Sequence, residues 1–321
     1  DGTGGAVVTV SDDRTGRDCD IYAQRVDASG KVLWKVNGIS ICDVEKDQGF
    51  PQVASDEAGG AIVAWADFRG GTDFSIYAQR VDASGRVLWQ KNGVPVCTAR
   101  GSRLPRVASD GVGGAIIVWR DPRNTSDYDI YAQRVDGAGR VLWGADGLAI
   151  CTIEGGKWWP LVTADGVGGA IVVWRDYRSG TNYDVYAQRV DASGSVLWKA
   201  GGMPLCTEKY NERYHGACPD GSGGAIVTWY EDRSGDYDIY AQRVDSRGRV
   251  VWKTEAVPVC TAPEDQQFPI VVPSGLAGTI VTWVDYRSGT NFDIYAQRVK
   301  ANGSMGPFED PSHRPQSGAC R

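Results

Sequence analysis

Six times along this chain an acidic residue stands two positions before an arginine: Asp12/Arg14, Asp67/Arg69, Asp121/Arg123, Asp176/Arg178, Glu231/Arg233 and Asp285/Arg287. Such pairs admit three chemistries. Guanidinium groups gathered around a centre can clamp a carboxylate or a sulfate, with Arg123, Arg178 and Arg233 as candidates. Paired carboxylates can cleave a glycosidic bond by general acid–base catalysis. Each acid can instead hold its own arginine and shape a loop. Recurrence in all six copies favours the last, because a catalytic centre needs one acid and one nucleophile.

The residues that break the pattern carry more information. Glu208, Glu212 and Glu231 are irregular acids, and Glu231 stands where the other copies have Asp. They are the candidates for a glycoside hydrolase or lyase acting in a central depression. The segment Glu154-Gly-Gly-Lys157-Trp158-Trp159-Pro160 carries two adjacent tryptophans. Trp159 aligns with Phe50, Leu104, Tyr214 and Phe268 and is expected in the core. Trp158 aligns with mostly polar residues and is expected to be exposed, where an indole can stack on a sugar or a protein. With Lys157 and the later Tyr210, Arg213 and His215, it outlines one off-centre ligand patch.

Other chemistries find little support. The chain has two histidines, His215 and His313, too few for a histidine-based zinc site or a convincing triad. No metal or cofactor is expected. Calcium at the Asp-Gly-x-Gly-Gly turns is the remaining option, but those turns lack the alternating oxygen ligands of a calcium loop. The net charge of -6, without a separate Lys/Arg cluster, speaks against nucleic acid. No apolar run is long enough to span a bilayer.

The frame that positions these residues is a repeat. Tyr-Ala-Gln-Arg-Val begins at Tyr22, Tyr77, Tyr131, Tyr186, Tyr240 and Tyr295, at steps of 55, 54, 55, 54 and 55 residues. A period of this size marks units that cannot bury their apolar faces alone. One unit reads as four short strands: Pro105–Asp110, Ala115–Trp119, Tyr128–Val135 and Arg140–Trp143. Turn signals separate them. Six such units describe an all-β protein, a six-bladed β-propeller of four-stranded antiparallel blades in one domain spanning residues 1–321. The segment 314–320 is expected to supply the strand that completes the N-terminal blade and closes the ring. Short uniform turns share one face, and the longer variable loops share the other, where binding is expected.

Eight cysteines accompany the repeat. Cys42, Cys97, Cys151, Cys206 and Cys260 recur at one position and are expected to be small buried residues. Cys19, Cys218 and Cys320 break the pattern, and Cys206–Cys218 is a candidate local bridge.

The turn Asp27-Ala-Ser-Gly-Lys-Val-Leu-Trp34 recurs as Asp82 to Trp89 and Asp191 to Trp198. It resembles the tryptophan-docking motif of quinoprotein-like β-propellers, with one residue fewer between Asp and Gly. The resemblance implies that Trp34, Trp89, Trp143, Trp198 and Trp252 lock neighbouring blades together. The cofactor residues of the quinoprotein enzymes are not found. The turn is similar in role, though not in spacing, to the Asp-box of sialidase-type propellers.

The functional expectation is a non-catalytic binding or scaffold propeller that engages a carbohydrate or a protein surface, with self-association as a further option. The Trp-rich, turn-rich and lysine-poor composition suggests a secreted, periplasmic or cell-surface setting. The chain opens at Asp1 within the repeat, as a mature or trimmed chain would.

Overall fold

The computed structural model describes residues 4–124, 127–252, 256–275 and 278–306; the side chains of Tyr214 and His215 lie outside that description. The fold is a six-bladed all-β propeller. Among the described residues there are five four-stranded antiparallel sheets and one three-stranded sheet, each taken in sequence order from its inner to its outer edge. The third blade is typical, with strands Arg103–Ser109, Ala115–Asp121, Asp129–Val135 and Leu148–Cys151. The first strands of neighbouring blades pack on each other and line the centre. The segment 314–320, expected to close the ring, lies outside the described residues.

The fourth strand is not where the sequence placed it. Arg140–Trp143 forms one isolated bridge, Val135 to Val141, and then leaves the sheet. The outer strand is Leu148–Cys151, the segment that carries the recurring cysteine. The reason is that the tryptophan is used between blades rather than within one.

Each residue of Tyr-Ala-Gln-Arg-Val has its own task in that arrangement. The tyrosine ring lies beside the strand-two tryptophan, with Trp119 and Tyr131 centroids 6.5 Å apart. In the second to fifth blades the alanine and valine are buried against the neighbouring blade. The glutamine shapes the outer loop: the Gln133 amide donates to the Gly144 carbonyl, and its oxygen accepts the Trp143 backbone N–H. The arginine then reaches the next blade.

There it meets the tryptophan. Trp34, Trp89, Trp143, Trp198 and Trp252 donate their indole N–H to the carbonyls of Ala83, Gly137, Ala192, Ser246 and Ala301, over 2.9–3.2 Å. Arg25, Arg80, Arg134, Arg189 and Arg243 donate to the same five carbonyls. Four of these arginines are held from behind by Asp56, Asp110, Asp165 and Asp220, the aspartates that open the first inner turns. Those aspartates also cap their own turns; Asp110 accepts the N–H groups of Val112 and Gly114. The carboxylates considered for calcium are therefore engaged by turn N–H groups and arginine.

The indole lies flat on a glycine of the receiving turn. A Cβ on Gly194 would stand 2.9 Å from the Trp143 ring, and one on Gly248 2.9 Å from Trp198. Five such contacts join the six blades. The matching faces at the two ends are exposed: Val8 51% and Val10 43% on the first blade, and Ile294 74% on the sixth. Their equivalents elsewhere, such as Val63, Trp65 and Ile76, are fully buried.

Gly30 and Gly194 make a matched test, since both have φ near +85° to +90° but nothing lies within 4 Å of a Cβ at Gly30. Gly30→Ala is expected to cost about 1 kcal/mol for the left-handed backbone. Gly194→Ala is expected to cost about 1–3 kcal/mol more, by displacing the indole. Urea denaturation of the two variants reads the difference, and equal losses would contradict the dock.

Candidate functional site

The six acid–arginine pairs are loop staples. In the third blade, Asp121 is fully buried, accepts the Trp119 indole N–H at 2.9 Å and is gripped by Arg123. Arg123 also donates to the Asp146 carbonyl and lies 4.0 Å over the Tyr131 ring. Burial alone would raise the Asp121 carboxyl, but the Arg123 and Trp119 hydrogen bonds hold it below its usual range. Arg178 is committed in the same way to Asp176, and Arg233 to Glu231. Arg123, Arg178 and Arg233 are thereby tied to carboxylates of their own blades.

The recurring cysteines belong to this staple. Four of the five are buried, and Cys260 is half-buried. The sulfurs of Cys42, Cys97, Cys151 and Cys260 lie 3.2–3.5 Å from the arginine Nη2 of the pair. They are weak acceptors in a polar cluster rather than plain apolar fillers. Cys206 and Cys218 are free thiols, so the local bridge considered from sequence is absent. They lie on different elements, the fourth blade's outer strand and the fifth blade's inner strand.

A second recurring position sits at the start of each inner strand. Gln48, Ser102, Lys157, Glu212 and Gln266 are all at most 1% exposed. Four of them donate to carbonyls of their own crossover: Gln48 to Val44, Ser102 to Ala99, Lys157 to Gly155, and Gln266 to Ala262. Lys157 is thus a crossover staple with Asp129 3.8 Å away, not an exposed ligand group. Glu212 is an acceptor in a donor's place. Asn182 takes over its task by donating to the carbonyls of Glu208 and Tyr210. Burial pushes the Glu212 carboxyl up to about 8. Glu212 and Glu231 are both fully buried, so neither can touch a polysaccharide as the hydrolase reading requires. Glu208 is half-buried.

The next residues are re-aimed by a bulge. Each of the five described inner strands shifts register near its start, at Gly49/Gln52, Arg103/Arg106, Trp158/Leu161, Arg213/Gly216 and Gln267/Ile270. Phe50, Leu104, Trp159 and Phe268 lie there with φ of 52–54°. A left-handed conformation at a bulky residue is uncommon and costs stability. The prolines that follow, except at His215, need no ladder partner for a backbone N–H. The consequence overturns the expectation for the tryptophan pair. Trp159, placed in the core by alignment, is 39% exposed, with Phe50 at 55% and Phe268 at 46%. Trp158, expected outside, is half-buried, against both Tyr128 and Arg120.

Around this aromatic ring arginines predominate, although Arg103 has Asp73 3.8 Å away. Opposite residues at the bulge are Arg103 with Arg120, Trp158 with Arg175, and Arg213 with Tyr230 in blades three to five. In blades two and six they are Gly49 with Ala66 and Gln267 with Val284. Arg120 is 6% exposed and stacks between Tyr128 at 4.1 Å and Trp158 at 4.3 Å. Its Nε and Nη1 have no hydrogen-bond partner, and neither does Nε of Arg175. Burial holds both guanidiniums below the usual arginine range, with Arg103 adding to the effect at Arg120 and Arg213 at Arg175. Arg213 is exposed, 5.3 Å over the Tyr237 ring, and Tyr210 is half-buried. The His215 side chain lies outside the described residues.

These guanidiniums come from three different blades, which is why no basic cluster is visible in the sequence. Like charges directly opposite on a sheet are unfavourable. Burying a guanidinium without a counter-charge is costly, and stacking on rings returns only part of it. The arrangement suits an incoming anion on a ligand with flat apolar faces.

Comparison with known proteins stops at the fold. No family model matches the chain, and no curated protein does. Among solved structures the chain is similar to BP39L lectin from Burkholderia pseudomallei, at 12% identity and a TM-score of 0.55, over 95% of this chain and 80% of that one. It is also similar to a polysaccharide lyase, an ulvan lyase, at 12% identity and a TM-score of 0.54, over 92% and 81% of the two chains. An endo-arabinase from Bacteroides thetaiotaomicron matches at a TM-score of 0.43 and 11% identity, over 77% and 92%. The class of protein that fold and comparisons define is an all-β propeller.

The buried acids make stability depend on pH. Burial pushes the Asp184 carboxyl up to about 6, against the hydrogen bond from Asn182. A raised acid favours the folded state while protonated, so its contribution is complete below about pH 4 and is lost as pH rises through 6. Asp184→Asn keeps an acceptor for Asn182 and is expected to gain about 1–3 kcal/mol over the parent at pH 8, with little gain at pH 4. Denaturation midpoints at the two pH values check the sign.

Proposed function

We propose that the chain is a non-catalytic binding propeller whose off-centre patch at the mouth of the central channel takes an acidic carbohydrate. Arg120 carries the reading. Its buried positive charge lies between two aromatic rings, and the exposed Arg103 opposite it is the guanidinium within a ligand's reach. A uronate carboxylate or a sugar sulfate matches the guanidinium fork, and pyranose faces match Trp159 and its neighbours. The carbohydrate-binding and carbohydrate-cleaving structures that share the fold are compatible with this use. A secreted, periplasmic or cell-surface location fits such a ligand.

A second reading is a lectin with one site per blade boundary. Shallow clefts recur between the Asp-Gly-x-Gly-Gly turns on the opposite face, as around Asp165, Arg189 and Ser222 and around Asp110 and Arg134. Their arginines are already paired with aspartates, so they offer less to a charged ligand.

Retention and product release on a panel of acidic and neutral polysaccharides, measured together, test the proposal. The expected result is salt-sensitive retention on the acidic members without cleavage, weakened about tenfold by Trp159→Ala. Cleavage products that vanish in Glu208→Gln would replace this reading with the glycoside-active one. Retention only on an acidic protein would make the chain an assembly module.

A further inference from the structure

The sequence argued against metal on the scarcity of histidine, yet one cluster in the fold has metal-ligand chemistry without it. Cys206, Glu212 and Glu231 are all buried, and one ligand atom from each lies within 4.8 Å of the others. They come from three elements: the end of the fourth blade's outer strand, the crossover, and the end of the fifth blade's second strand. No other blade repeats the set. Where Glu212 stands, the other copies place Gln, Ser or Lys, which donate to the crossover. Where Glu231 stands, they place the shorter Asp.

An unpartnered group points into this cluster. Glu212 is fully buried, and neither of its carboxylate oxygens has a hydrogen-bond partner. The groups facing it are the Cys206 thiol, a weak donor, and the Glu231 carboxylate, so no cation meets its charge. With the ligands ionised, a thiolate and two carboxylates against the Arg233 guanidinium leave two negative charges. Buried charge of that size must be cancelled, by protons or by a cation.

We propose that Cys206, Glu212 and Glu231 form a site for one divalent ion of the zinc class, joining the fourth blade to the fifth. A divalent ion cancels the residual charge. The thiolate selects zinc-like ions over magnesium or calcium. A fourth position is open to water or a second carboxylate oxygen. Ligation needs the Cys206 sulfur as thiolate, so affinity rises with pH. Arg233, bonded to Glu231, orients that ligand from behind. The inference stands apart from the carbohydrate reading, since none of the three residues reaches the channel surface.

The test unfolds the full chain in urea with a chelator, then refolds it with Zn²⁺ or Co²⁺ at pH 8 and removes excess ion. One retained ion per chain is expected, and the Co²⁺ form should show a thiolate-to-cobalt charge-transfer band. Cys206→Ala should abolish the band. Glu212→Gln places the residue of the second and sixth blades at that position, so it should fold, and it should lower the affinity roughly 100-fold or more. Circular dichroism confirms the fold of each variant. A wild-type chain that keeps no ion and shows no band overturns the proposal. So does equal retention by Glu212→Gln, or a band that survives in Cys206→Ala, since other thiols would then hold the ion.

Discussion

One carbonyl oxygen per turn holds this molecule together. It accepts an indole N–H and a guanidinium N–H from the preceding blade, which uses both of its lone pairs. Around that contact the repeat becomes intelligible. The glycine of the turn is there to let the indole lie flat, and the inner-turn aspartate is there to aim the arginine. The glutamine of Tyr-Ala-Gln-Arg-Val holds the loop that carries the tryptophan. Blades that share no continuous sheet are thus registered to one another by polar contacts, and the apolar faces between them fill the rest.

That constraint also limits where function can reside. Whatever serves the blade contact must be the same in every blade, and the acid–arginine pairs serve a similar scaffold role within each blade. The inner strand has more freedom just beyond its crossover. There a bulge turns one large side chain outward, and the residue beside it is free to vary. The variation runs from Gly49 and Ala66 in the second blade to Arg103 and Arg120 in the third. A symmetric frame thereby carries an asymmetric surface.

The sequence disclosed the frame more readily than the site. A period of 54 to 55 residues with strand-length apolar runs leads directly to six blades. The outer strand was misplaced because Arg140-Val-Leu-Trp143 has strand-like residues but is drawn off the sheet by the next blade. Trp158 and Trp159 were exchanged because alternation assumes an unbroken strand, and a bulge reverses inside and outside. A large residue before proline at the same place in four blades was the available sign. The arginine patch was hidden for another reason: Arg103, Arg120, Arg175 and Arg213 are neighbours only through the fold. The burial of Glu212 was equally hidden, since a glutamate in a polar loop reads as solvated.

The central claim is that a repetitive scaffold presents a single, off-centre ligand site at the channel mouth. The most direct measurement is the binding stoichiometry, by isothermal titration of the chain with a short acidic oligosaccharide taken from the retained polysaccharide. One ligand per chain is the result the account predicts. Several equivalent ligands per chain would place binding in the clefts between blades and contradict it.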